Sequence, residues 1–285
     1  MPTTRRNALQ SVPVGNTAPY APTRERPVRA RARALGNDVQ VEPHHHAWGQ
    51  LAYCARGVLQ VTVGAAPEGG MPGRGCHLTA IVPPSRAMWV PPGAAHVVTI
   101  LEDAQLYTLY FDPSVVPPHW QQPRVLMVSP LMRELVLALV RATPATSPAR
   151  LQALDTLLLG EMTEAAPQAL AVPMPDPRHG DRRLRALCEA MMRDPAAHTT
   201  LADWAARSGA SERTLARLFR DELGTSFRHW RQLVALAHAL PLLARGTPVS
   251  TVAAAAGYAS DSAFTAMFKA AMGQPPTRLY PPPDR

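Results

Sequence analysis

One helical unit occurs twice near the end of the chain, and this duplication constrains the fold more than any other feature. The first copy reads "LADWAARSGASERTLARLFRDELG" from Leu201, the second "VSTVAAAAGYASDSAFTAMFKAAMG" from Val249. Ala205 and Gly209 match Ala253 and Gly257; Leu215, Leu218 and Phe219 match Phe264, Met267 and Phe268; Gly224 matches Gly273. The offset is 48 residues before the turn and 49 after it, so the second turn is one residue longer. Each copy is written like a helix-turn-helix. A small residue four before the glycine lets two helices approach, and the glycine supplies a left-handed turn that other residues resist. Ser211 and Ser260 then stand where a side chain can cap the orphan amides of the next helix. In copy one the pattern predicts a buried stripe of Leu215, Leu218, Phe219 and Leu223. The free stripe is Glu212, Arg213, Ala216, Arg217 and Arg220. Cations at 213, 217 and 220 share one face, as a helix seated in the DNA major groove needs for base edges and phosphates. One copy alone reads equally well as a helical hairpin with a solvated Arg face. Two matched copies around one long helix, near Ser226 to Arg245, weigh against that.

Charge is distributed in the same sense. Residues 1–36 carry seven Arg against one acid, residues 37–175 seven Arg against ten acids, and residues 176–285 fifteen Arg or Lys against ten acids. A basic C-terminal segment suits a polyanion, although a solvated basic surface shows the same balance. No apolar run approaches the roughly 20 residues of a membrane helix, and no apolar leader stands at the start. Cys54, Cys76 and Cys188 have no paired spacing, which points to a reducing compartment; the expected location is cytoplasmic.

The chain then parses into five segments. Residues 1–36, rich in Pro and Arg without apolar period, are predicted to be a disordered basic tail. Residues 37–115 hold short β-like runs, "WGQLAYC", "GVLQVTV", "HLTAIV", "AMWV", "HVVTIL" and "QLYTLYF", with Arg56-Gly57 as a tight turn. Such spacing suggests a sandwich or small barrel. Residues 116–166 hold two helices, one behind Ser129-Pro130 with Leu131, Leu135 and Leu139, one behind Ser147-Pro148 with Leu151, Leu154, Leu158 and Met162. Their apolar stripes fit packing on the barrel and dimer contact equally. Residues 167–180, with Pro167, Pro173, Pro175 and Pro177, read as a linker, and residues 181–285 as all helix.

The stretch from Asp181 to Tyr280, above all "GYASDSAFTAMFKAAMGQPPTRLY", resembles the AraC family of bacterial transcriptional regulators. The resemblance implies two helix-turn-helix motifs joined by a long helix, double-stranded operator DNA as partner, a homodimer, and contact with RNA polymerase. It places DNA-binding positions on Ser211, Glu212, Arg213, Thr214, Arg217 and Arg220, and on Ser260, Asp261, Ser262, Ala263, Ala266 and Lys269. Base reading falls to Arg213 and Arg217 in copy one, and to Asp261, Ser262 and Ala266 in copy two. The second face has one cation where family members often add an Arg at position 266, so shape and apolar contact carry more of its share. Pro241, inside the long helix, removes a backbone bond and is expected to kink it.

Earlier in the chain stands "VEPHHHAWGQLAYCARG". Here His44-x-His46, three residues, Gln50, six residues, Gly57, followed by Pro91-x-Gly93, two residues, His96, is similar to the paired motifs of the cupin family. "WGQLAYC" and "PPSRAMWVPPGAAHVV" further resemble the nitroimidazole-resistance-regulator branch of the AraC family. The implied fold is α+β with two domains: a cupin-type β-barrel sensor, then an all-α domain with two helix-turn-helix motifs. Alternation along an extended strand sends His44 and His46 to one face, with Gln50 by the same parity, and His45 to the other. His96 joins them from a neighbouring strand. Three imidazoles so placed can hold Zn, Fe, Ni or Mn. Gln50 in place of the usual Glu removes a negative charge, and the same side chains equally suit a small-molecule effector pocket. Trp48, Trp89, Tyr53 and Cys54 are further pocket candidates, though aromatic residues near strands are more often core and a buried Cys acts as a small hydrophobe. Cys76 and His77, after "PEGGMPGRG", can lie at a pocket mouth. A metal-dependent cupin enzyme of dioxygenase or isomerase type, fused to a DNA-binding segment, is the rival. The missing carboxylate at position 50 weighs against it, so the expectation is a non-enzyme with no catalytic residues. It would control adjacent transport or metabolic genes.

Overall fold

The computed structural model describes residues 10–64, 77–84, 86–165, 167–168, 171–176, 180–197 and 200–279. In chain order the strands are β1 (Gln10–Val12), β2 (Val28–Leu35), β3 (Val39–His44), β4 (Gly49–Val63), β5 (His77–Val82), β6 (Arg86–Val90), β7 (His96–Phe111), β8 (Arg124–Met127), β9 (Pro167–Gln168) and β10 (Ala171–Met174). The helices are α1 (Pro130–Val140), α2 (Pro148–Glu164), α3 (Arg182–Arg193), α4 (Leu201–Ser208), α5 (Glu212–Leu223), α6 (Phe227–Ala244), α7 (Val249–Ala255), α8 (Asp261–Met272) and α9 (Pro276–Leu279). The chain forms two compact units, Met1–Pro67 with Val82–Gln168, and Glu68–Ile81 with Ala169–Arg285. The first is sheet-rich and the second helical, the α+β arrangement expected.

In the first unit the strand order is β1-β3-β7-β4-β6-β8-β9, with β2 also on β7. Among the described residues this ladder does not close on itself, so the expected barrel is a cupin-like open sheet. Its spine is the 16-residue β7. The start of β7 pairs with β3, His44 opposite His96, and its end with β2, Arg29 opposite Tyr110. Along its other edge runs β4, from Gln50 opposite Tyr110 to Val63 opposite His96. Register shifts between Cys54 and Leu59 absorb the extra residues. Gly57 sits there at φ +87°, where a Cβ would lie 2.3 Å from the Asp103 carbonyl oxygen. Arg56-Gly57 is therefore a bulge and not the expected turn: a left-handed glycine serves either, and only the non-local partner decides. "WGQLAYC" and "GVLQVTV" are one strand, and "HVVTIL" and "QLYTLYF" another.

Two further expectations are corrected. The basic tail is not wholly disordered, because "VRARARAL" is β2, paired over eight residues with β7, and β1 pairs in parallel with β3. Ladder bonds come from the backbone, so alternating Arg and Ala can fill a strand despite a composition that looks disordered. Residues 1–9 lie outside the described residues. Nor is the Pro-rich stretch only a linker: β9 pairs with β8, and β10 pairs with β5 and buries Val172.

One face of the first sheet, with Leu51, Tyr53, Ala87, Trp89, Leu109 and Phe111, packs on Met132, Leu135, Val136 and Leu139 of α1 and on Leu158 and Met162 of α2. Both helices start as the Ser-Pro pairs predict: Ser129 Oγ accepts from Met132 N–H at 3.0 Å and Ser147 Oγ from Arg150 N–H at 3.4 Å. In the second unit α6 runs unbroken for 18 residues, with Pro241 in its last turn. Trp230 on α6 is fully buried, and its indole N–H donates to the Pro173 carbonyl of β10 at 2.7 Å. Among the described residues no helix is long and apolar enough to cross a membrane.

Candidate functional site

The two helical hairpins, α4–α5 and α7–α8, are built alike. Gly209 ends α4 at φ +64°, and Ser211 Oγ caps α5 by accepting from Thr214 N–H at 3.1 Å. Gly257 follows α7 at φ +78°, and Ser260 Oγ caps α8 by accepting from Ala263 N–H at 3.2 Å. The matched positions are buried alike: Ala205 with Ala253, Leu215 with Phe264, Phe219 with Phe268, Leu223 with Met272. Leu218, expected in the buried stripe, is half-buried, as is its counterpart Met267. Ser211, Glu212, Arg213, Arg217 and Arg220 of the first hairpin are exposed, and Thr214 is half-buried. Ser260, Asp261, Ser262, Ala263, Ala266 and Lys269 of the second are all exposed. None of Arg213, Arg217 and Arg220 makes an ion pair among the described residues. Their charges are free for a polyanion.

In the sheet unit, the histidines do come together. β3 ends at His44, so His46 enters from a loop, and Gln50 belongs to the following strand β4. The loop is held by Gly93 N–H, which donates to the His46 carbonyl at 2.8 Å across the Pro91–Ala94 turn. Ring centroids lie 4.2 Å apart for His44 and His96, 5.1 Å for His46 and His96, and 6.0 Å for His44 and His46. One ligand atom from each falls within 4.8 Å of the others, while His45 is exposed.

Tautomers follow from the neighbours. Each Nδ1 meets a backbone carbonyl: His44 that of Glu42 at 2.8 Å, His46 that of Trp48 at 2.7 Å, His96 that of Ala94 at 2.9 Å. A carbonyl only accepts, so each Nδ1 carries the hydrogen and a neutral ring keeps its lone pair on Nε2. Burial holds the pKa values of His44 and His46 below the ordinary imidazole value. Burial, then the His44 ring, push His96 down to about 3. All three are neutral at pH 7, the state a metal ligand needs. His96 Nε2 is buried with no partner among the described residues. His46 Nε2 faces Gln50 Oε1 at 3.0 Å. With the ring neutral these are two acceptors, reconciled by a cation between them or by the amide turning its NH2 inward.

The remaining candidates separate. Trp48 stacks on His46, centroids 5.2 Å apart and planes at 10°, and meets Tyr110 edge-on at 6.0 Å. Its indole N–H is buried without a partner among the described residues. Trp89 does not line this pocket. It pairs with Leu51 on the opposite face, donates to the Trp120 carbonyl at 3.0 Å and packs in the helix-side core, as does Tyr53. Strand parity placed it there, and the run "AMWV" is apolar on both faces, so pattern could not. A cavity of about 10 Å³ beside Trp89, Phe111 and Trp120 has room for about one water. Cys54 faces the Gln50 side, but its thiol donates to the Arg56 carbonyl and burial pushes its pKa up to about 12, so it is inert. Cys76 lies outside the described residues, and of His77 only the strand position is described.

Sequence reasoning missed Arg31 and Arg33. They stand opposite Thr108 and Leu106, on the face that carries Tyr110, Gln50 and Cys54. The period-two spacing of Arg in "VRARARAL" was the available signal.

Residues 204–280 match a helix-turn-helix domain family. The chain is 35% identical over 248 residues to the HTH-type transcriptional regulator NimR of Escherichia coli, covering 85% of this chain and 84% of that protein. It is 36% identical over 106 residues to the HTH-type transcriptional regulator RipA of Corynebacterium glutamicum, covering 37% of this chain and 32% of that one. Among solved structures, ToxT from Vibrio cholerae aligns over 89% of this chain and 98% of its own, at 10% identity and a TM-score of 0.35. The C-terminal domain of AraT from Geobacillus stearothermophilus covers 36% of this chain and 86% of its own, at 26% identity and a TM-score of 0.34.

Proposed function

The chain belongs to the AraC family of helix-turn-helix transcriptional regulators, and from that premise we propose that its sheet unit is a sensor whose occupancy sets the DNA-binding equilibrium of its helical unit. Binding of DNA and regulation of transcription follow from the family. The observation that supports a sensor is the imidazole cage of His44, His46 and His96 with Gln50, roofed by Trp48. A ligand there shifts DNA binding only by its differential affinity for the two states of the protein. The donor set fits a divalent Zn, Fe, Ni or Mn ion: three neutral Nε2 lone pairs, each ring fixed through Nδ1 by a carbonyl, with one Nε2 unpartnered. Such an ion would act as a Lewis acid orienting an effector. His44, His46, His96 and Gln50 would hold it. With no carboxylate in the set to serve as base, sensing is favoured over turnover, and the protein is a regulator and not a cupin enzyme. It works in the cytoplasm as a homodimer, contacts RNA polymerase at promoters, and controls adjacent transport or metabolic genes.

In the reading heads, Arg213 and Arg217 address base edges, Arg220 and Lys269 phosphates, and the capped helix starts at Ser211 and Ser260 set their depth. Arg217→Ala is expected to weaken specific operator binding by about 1–3 kcal/mol, measured by gel shift on DNA upstream of the protein's own and neighbouring genes. An unchanged shift would remove Arg217 from the interface. For the metal, elemental analysis of purified protein should find a divalent ion in the wild type and none in His44→Ala/His46→Ala. Equal loading of both would place any ion elsewhere.

A further inference from the structure

We propose that the effector of this sensor is a small organic acid whose carboxylate is held by the guanidinium groups of Arg31 and Arg33. The inference rests on the sensor reading above and names the chemistry of its ligand.

Arg31 and Arg33 occupy alternate positions of β2, so their side chains leave the sheet on one face. Cross-strand partners put Thr108, Leu106 and Tyr110 of β7 on that face, and Gln50 of β4 with them. The ring of Tyr110, on the same face, meets His46 edge-on at 5.7 Å. The two cations therefore share a sheet face with Tyr110, whose ring touches the imidazole cage.

Their partners are too few for their charge. Both guanidinium groups reach the single carbonyl of Val14, at 3.2 and 3.4 Å, and Arg31 lies over the Tyr20 ring at 5.2 Å. Each guanidinium has five N–H donors, and most of these hydrogens have no acceptor among the described residues. Neither forms an ion pair among the described residues. Burial and the neighbouring Arg31 both oppose the charge on Arg33, against the opposing pull of Tyr110. Two like charges spaced two residues apart on a strand favour an anion between them. Tying down the segment at Val14 accounts for one acceptor and for neither charge.

The remaining features select a carboxylate on a flat body. Its planar pair of oxygens matches the guanidinium fork. Trp48 offers a buried N–H and His96 a buried Nε2, both without a partner among the described residues, and the Nε2 can accept a hydrogen bond. The Trp48–His46 stack and the Tyr110 edge provide flat apolar faces.

The test uses the full-length protein in the presence of a chelator, so that acid binding through a metal is removed. Calorimetry compares benzoate and phenylacetate with the isosteric amides benzamide and phenylacetamide, in the wild type, Arg31→Gln, Arg33→Gln and the double Arg→Lys variant. An acid is expected to bind at least about ten-fold more tightly than its amide, and each Gln variant to lose about ten-fold for the acid with little change for the amide. The Lys pair should retain part of the preference, which keeps the test informative if a Gln variant does not fold. Amides that bind as well as acids, or acid affinity unchanged in the Gln variants, would overturn the anion proposal and leave the sensor reading standing. If neither class binds at tens of millimolar, the anion proposal falls, and the sensor reading is decided by the elemental analysis of the wild type and His44→Ala/His46→Ala.

Discussion

Asp155, on α2, is 8% exposed, and one of its carboxylate oxygens is buried with no partner among the described residues. Burial pushes its pKa up to about 6, against the opposing pull of Arg26. The folded protein thus holds a proton that the unfolded chain releases near pH 4. The contribution to stability is whole below that pH and is lost as pH rises through about 6. Asp155→Asn, which keeps the shape without the charge, should stabilise the sheet unit by about 2 kcal/mol at pH 7.5 and by nothing at pH 4. Urea unfolding at the two pH values measures this; equal effects at both would show that Asp155 is ionised when folded. Site residues differ in how legible they are for a related reason. His44, His46, Gln50 and His96 are carried by a motif spacing, and the structure does bring them together. Arg31 and Arg33 show locally only a period-two spacing; which side chains share their face is decided by strands β4 and β7, far along the chain.

Elements whose ends are specified by local chemistry were legible, and those specified by a distant partner were not. The hairpins α4–α5 and α7–α8 carry their own glycine turns and serine caps, and they form where the duplicated sequence predicts. Strand β2 exists because the end of β7 offers it an edge, a partner that the period-two spacing within residues 28–35 does not name. The same distinction separates two glycines that look equivalent in the repeat. At Gly209 (φ +64°) nothing lies within 4 Å of a would-be Cβ, so Gly209→Ala meets only the left-handed backbone, about 1 kcal/mol. At Gly257 (φ +78°) a Cβ would lie 2.5 Å from the Pro195 carbonyl oxygen, backbone that cannot swing aside. Gly257→Ala should therefore cost about 3 kcal/mol or more, combining backbone strain with overpacking. Chemical denaturation of the two variants gives the comparison directly. Equal costs would mean that the α3–α4 connection yields freely.

At the scale of the whole molecule, the repeat suggests cutting the DNA-binding part at Asp181, but the helical unit is larger than that. The chain passes between its two units three times, and β10, with β5 as far as Ile81, belongs with the helices. Trp230 explains why. It is packed edge-on against Phe219, and its indole N–H reaches the Pro173 carbonyl beside the fully buried Val172. A fragment starting at Asp181 keeps Trp230 but removes its acceptor and, with β10, the buried Val172. Leaving a buried N–H without a partner costs about 1–3 kcal/mol, and losing a buried Val adds about 2 kcal/mol. The fragment is expected to unfold at clearly lower urea than one starting at Pro167. A cycle with Trp230→Phe isolates the cause: the substitution should destabilise the full chain by about 1 kcal/mol and the Asp181 fragment by less, since its hydrogen bond is already gone there. Equal losses in both would show that the contact with β10 contributes nothing. The reading heads would then be set by the helices alone.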